Sequence, residues 1–167
     1  MSAQPRIKGR LTYLWTFELI GALLFCLLVR LNWHTANLGV FALLGLGLVV
    51  LLLIQGSLFW YAKLRAVCRR PLLTQDSLRS LFRVLRIADL FLLGSFGLAL
   101  LFTGFAGRTP NHDLLCGVAF WTIACLEYVN YYFRQLMYDT PSELRSLFRL
   151  GRLKPASLGR FISTGRL

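Results

Sequence analysis

The sequence predicts an all-α integral membrane protein with four transmembrane helices and both termini inside, and three observations lead there. Hydrophobic residues make up 56% of the 167 residues and charged residues only 16%, against about 25% charged in an ordinary soluble domain. Four apolar stretches are each long enough to cross a hydrocarbon core of ~30 Å, which takes ~20 residues at 1.5 Å rise. Lys and Arg gather in alternate connecting segments, the pattern that orients membrane proteins. No length is left for a sizeable soluble unit, so residues 1–167 are expected to form one membrane domain.

The spans are expected at 11–33, 38–62, 86–107 and 114–138. The first follows Arg6, Lys8 and Arg10, as a secretory signal would, but its apolar run is too long and no small-residue cleavage site follows. It is read as a retained span.

Orientation follows from the cations. The N-terminal tail holds Arg6, Lys8 and Arg10. The segment between spans 2 and 3 holds Lys63, Arg65, Arg69, Arg70, Arg79, Arg83 and Arg86, and the C-terminal tail holds Arg145, Arg149, Arg152, Lys154, Arg160 and Arg166. Only Arg30 and Arg108 lie near the other two loops, which places the basic segments in the cytoplasm. The net charge of +12 is then explained by topology and by contact with anionic lipid. Nucleic acid is not expected as a partner, because nothing beyond the charge calls for it.

The cysteines form neither a disulfide framework nor a ligand set. Cys26, Cys116 and Cys125 lie in or beside apolar helices, where packing is their ordinary role, and Cys68 is in a basic loop. His34 and His112 sit in the two short outer loops without spaced partners, so no metal and no cofactor is expected.

The sequence LRSLFR occurs at 78–83, after span 2, and again at 144–149, after span 4, and each copy is followed three residues on by Arg86 or Arg152. Duplicated helical hairpins in parallel orientation would give this pattern, as would chance in a Leu/Arg-rich chain. Each copy reads as an amphipathic interfacial helix, over 74–86 and 142–151. In the first, Asp76 or Ser77 starts the helix, Leu78, Leu81, Phe82 and Leu85 form the apolar side, and Arg79, Arg83 and Arg86 recur at i, i+4 and i+7. The second opens on Pro141, Ser142 and Glu143 and sets Leu144, Leu147, Phe148 and Leu150 against Arg145, Arg149 and Arg152. These arginines are the candidate contacts to anionic lipid or to a protein partner.

A second feature is the set of polar groups inside the spans, where ionisable residues are expensive and usually face a partner or a wet cavity. It comprises Glu18, Gln55, Asp89, Glu127, Asn130, Tyr131 and Arg134. Asp89 and Arg134 lie about one turn in from the basic end, Glu18 and Gln55 about 10 Å and Glu127 about 15 Å. On span 4, Glu127, Asn130, Tyr131, Arg134 and Tyr138 share one face. Matching depths predicts an Asp89 to Arg134 pair beneath a Glu18 and Glu127 carboxylate pair. Such a cluster serves either as hydrogen-bonded glue that fixes helix register or as a site for an ion, a proton or a polar substrate. Neither a nucleophile with an adjacent base nor a ligand set accompanies it, so enzymatic chemistry is not expected.

Tyr13, Trp15, Trp33, Trp60, Tyr61 and Tyr132 read as interfacial belt or packing residues. Gly39, Ala42, Gly45 and Gly56 thin one side of span 2, and Ser95, Ala99, Thr103 and Gly107 form a stripe on span 3, so close packing within the chain or a homo-oligomer can use them. The run LEYVNYYFRQLMYD at 126–139, with RLKPASL at 152–158, resembles the C-terminal part of small bacterial multi-helix membrane proteins. The resemblance covers about a quarter of the chain and implies a bacterial inner-membrane location; it brings no activity with it. The function expected is that of an accessory or regulatory membrane protein presenting basic helices to lipid and partner at the cytoplasmic face. A small oligomeric channel or transporter built on the acidic cluster is the alternative.

Overall fold

A computed structural model describes residues 4–32, 38–106, 111–135 and 154–165. Among them are five helices and no strand: α1 (Gln4–Asn32), α2 (Val40–Val67), α3 (Gln75–Ala106), α4 (Asn111–Tyr132) and α5 (Ser157–Thr164). The first four are long and apolar enough to cross a membrane.

α1 and α2 are apolar nearly all round, as a helix with lipid on one side and protein on the other must be. α2 is the hub. Val49, Leu52 and Phe59 are almost fully buried on it, while α1 and α3 turn Leu23, Leu27, Leu31, Phe91, Phe102 and Phe105 outward. Apolar faces of that size would be an aggregation hazard in water and are the normal lipid-facing surface of a spanning helix.

α2 and α4 lie side by side and parallel. Small residues let them approach: a Cβ at Gly45 would meet Phe120 at 2.8 Å and the Gly117 carbonyl at 3.2 Å, and one at Gly117 would meet Phe41 at 2.9 Å. α1 packs along α2, and α3 packs more sparsely against α4. A parallel central pair, each member with its preceding helix alongside, is the arrangement a duplicated hairpin would take. Ala42, Gly45 and Gly56 of α2 are therefore spent inside the chain, whereas Ser95 and Ala99 on α3 are exposed.

Several element ends differ from the sequence reading; α1, for one, starts at Gln4 rather than at 11. α3 starts at Gln75, so residues 75–86, expected as a separate interfacial helix, run unbroken into the third span. Its cap is Thr74, whose hydroxyl accepts from the Ser77 N–H at 3.2 Å, rather than Asp76 or Ser77. α2 stops on a residue in the left-handed region, Arg69 with φ 56°, and the Arg70 N–H reaches back to the Arg65 carbonyl at 3.0 Å just before Pro71.

α4 ends at Tyr132, earlier than the expected 138. The chain beyond it bridges Arg134 to Pro155, with Gln135 N–H on the Lys154 carbonyl at 2.9 Å and Ala156 N–H on the Phe133 carbonyl at 3.1 Å. The second LRSLFR copy, with Arg145, Arg149 and Arg152, lies outside the described residues.

α5 was not expected from the sequence. Leu158, Phe161 and Ile162 form its buried side at i, i+3 and i+4. The Phe161 ring centroid lies 6.0 Å from that of Phe59, which meets Phe82 edge-on at 5.7 Å. Leu78 and Phe82 are therefore buried inside the protein, and the apolar side of the first basic segment is largely covered by protein rather than open to lipid.

Candidate functional site

Among the described residues, carboxylates join the helices at three places. At the sparsely charged end, Asp113 in the first turn of α4 reaches the start of α2. Its carboxylate accepts from the N–H groups of Gly39 (2.9 Å), Phe41 (3.2 Å) and Ala42 (2.8 Å). These donors at the start of α2 would otherwise have no partner in lipid. Two parallel helices also bring two positive dipole ends together, and one buried carboxylate between them is stabilised by both. Gly39 leaves the room: a Cβ there would meet Asp113 Oδ2 at 2.6 Å.

Near the basic end, Gln55, Asp89 and Tyr132 form a closed, buried ring from α2, α3 and α4. Gln55 Nε2 donates to Asp89 Oδ1 at 2.9 Å, and the Tyr132 hydroxyl lies 3.0 Å from Asp89 Oδ2 and 3.2 Å from Gln55 Oε1. The expected Asp89 to Arg134 pair is absent. Arg134 lies beyond the end of α4 at an exposed position, so matching it to Asp89 by depth ignored where the helix stops. Tyr132→Phe should therefore cost about 1–3 kcal/mol in detergent unfolding, the scale of stranding buried partners; unchanged stability would remove Tyr132 from this ring.

The third place joins α1 to α2 and α4. Trp60 Nε1 donates to Glu18 Oε1 at 3.0 Å, and the Tyr131 hydroxyl donates to Glu18 Oε2. Gly56 makes the space, since a Cβ there would run into the Glu18 carboxylate and meet the Tyr131 hydroxyl at 2.5 Å. Glu127 lies on α4 one turn before Tyr131. The two carboxylates keep separate partners, and Glu127 accepts from Asn130 on its own helix at 3.3 Å.

The basic segments are also tied into the bundle. Arg79 donates to the carbonyls of Ile162 (2.6 Å) and Ser163 (2.7 Å), completing the C-terminal end of α5. Arg86 lies over the Phe133 ring, 4.9 Å from its centroid. Arg83 is exposed. Between α1, α2, α4 and α5 at this end lies a cavity of about 500 Å³, bordered by Arg10, Lys63, Lys154 and Arg160, with Glu18 and Tyr131 also in its wall.

Among the described residues no group of three or more His, Cys, Asp or Glu could hold a metal ion. Asp113, Tyr132 and Trp60 are the members of these networks that the sequence reading did not select. Fold and polar network together describe an all-helical protein of the membrane-protein class, with four helices long and apolar enough to cross a membrane and joined by interhelical hydrogen bonds. No family model matches the chain, and no curated protein or solved structure matches it.

Proposed function

We propose that the protein is a non-enzymatic accessory or regulatory membrane protein that engages anionic lipid, and through it a membrane partner, at the cytoplasmic face of a bacterial inner membrane. The observation that carries this reading is the gathering of cations at one end of the bundle, where Arg10, Lys63, Arg69, Arg70, Arg83, Lys154 and Arg160 surround the start of α1 and α3, the end of α2, and α5. Each arginine near an anionic surface is worth about 1 kcal/mol at low screening. The buried networks support the reading from the other side, because Asp89, Asp113 and Glu18 are each hydrogen-bonded across helices as structural glue is.

Replacing Arg70, Arg83, Arg145 and Arg149 by Gln should lower the preference of spin-labelled phosphatidylglycerol over phosphatidylcholine around the reconstituted protein. What preference remains should depend less on salt. An unchanged preference, with loss of a cross-linked protein partner, would make the basic end a protein-docking surface instead. The channel or transporter reading draws on the cavity that reaches Glu18; both oxygens of that carboxylate are already taken by Trp60 and Tyr131, which favours the accessory reading.

A further inference from the structure

The cavity at the basic end is built from two kinds of wall. α1 contributes Ile7, Leu11 and Leu14, an apolar strip continuous with a helix that faces lipid. The opposite side carries the cations. Lys63 is half-buried, with its ammonium 5.9 Å from the Phe59 ring centroid and 5.8 Å from that of Trp60. Arg160 approaches from α5. Among the described residues neither has an ion pair with a carboxylate: Lys63 lies against those two rings and close enough to Arg160 for the two cations to repel. Glu18 is the one carboxylate among the described lining residues, and it is occupied. A partly desolvated cation without a counter-ion is costly, and an anion entering the cavity would offset that cost. At about 500 Å³ the space falls in the size range of small-ligand sites, about 300–1,000 Å³.

We propose that this cavity binds one anionic amphiphile, with its phosphate or carboxylate head held by Lys63 and Arg160 and its apolar part against Ile7, Leu11 and Leu14. The proposal deepens the reading of the basic end as a lipid-engaging surface and rests on it: beyond a diffuse attraction, the end holds one saturable site. The head chemistry is common to lipids and to soluble phosphate esters, and the α1 wall favours the lipid.

The test uses the full chain in an uncharged detergent. Its probes are short-chain phosphatidylglycerol, phosphatidylcholine of the same chain length and glycerol phosphate, with bound molecules counted by native mass spectrometry. One phosphatidylglycerol per chain is expected, at least tenfold tighter than phosphatidylcholine. K63M with R160Q should weaken it tenfold or more while the helical circular dichroism is kept. Leu14→Trp, which fills the apolar wall and leaves every cation in place, should weaken it as well, and Arg30→Gln, an exposed change near the other end of α1, should leave it within twofold.

Unchanged phosphatidylglycerol affinity in the K63M and R160Q protein would overturn the site. Glycerol phosphate binding as tightly as phosphatidylglycerol would assign the anion site to a soluble ester and overturn the amphiphile. If phosphatidylglycerol is enriched around the reconstituted protein but never saturates at one copy, the cavity proposal fails and the surface reading stands. If no anionic preference exists at all, both fail.

Discussion

Asp113→Ala should destabilise the bundle by about 3 kcal/mol, the scale expected when a charged group that accepts several backbone hydrogen bonds is removed from a helix start. The loss has two sources. The N–H groups of Gly39, Phe41 and Ala42 lose their acceptor at a place where lipid offers none, and two parallel dipole ends are left facing each other without the charge between them. Asp113→Asn keeps an oxygen acceptor and loses the charge, so it should recover part of the loss. Denaturant unfolding in detergent measures the order alanine, asparagine, wild type. An asparagine variant as unstable as alanine would mean that the charge supplies nearly the whole effect, and a stable alanine variant would remove Asp113 from the account.

Gly56→Ala should be nearly as damaging although it adds one methyl group. That carbon would occupy the position of the Glu18 carboxylate and press on Tyr131, so either α1 and α4 move away from α2 or the Glu18 to Tyr131 bond breaks. Overpacking alone costs about 1–3 kcal/mol, and separating a buried carboxylate from its partner adds to it. The discriminating measurement is the double variant with Glu18→Ala. Removing the carboxylate should relieve part of the clash, so the two losses should sum to more than the loss in the pair. Simple additivity would show that Gly56 acts somewhere other than at this contact.

The four spans were legible because length and hydropathy decide them, and the cation distribution marked one end of the bundle for the same reason. Polar residues inside the apolar spans were also readable, among them Glu18, Gln55, Asp89 and Tyr131, which the structure places in interhelical hydrogen bonds. Rotation about each helix was not. α4 is a central helix with polar partners on two sides, so Tyr131 turns to α1 and Tyr132 to α3, while a single-face reading kept Tyr131 and assigned Tyr132 to the interfacial belt. Arg134 failed for a related reason, since nothing before it in the sequence announces that the helix stops at Tyr132.

Asp113 was missed because a carboxylate in the first turn reads as favourable to its own helix; that it serves a neighbour 71 to 74 residues away depends on the parallel pairing of α2 and α4. α5 did carry a signal. Leu158, Phe161 and Ile162 at i, i+3 and i+4, followed by Gly165 at φ 71°, make a short amphipathic helix with a glycine stop, and eight residues in a basic tail were too few to draw attention to it.

Lipid engagement at the cytoplasmic face requires one orientation, with the basic end in the cytoplasm. That orientation is tested most directly by single cysteines at Ser77, Ser163 and Asn111 in a chain whose own Cys26, Cys68, Cys116 and Cys125 have been replaced. In intact cells a membrane-impermeant maleimide should label the cysteine at 111 and leave those at 77 and 163 unmodified until a permeant reagent is added. Impermeant labelling at 77 and 163 with protection at 111 would place the cationic end outside and contradict the account.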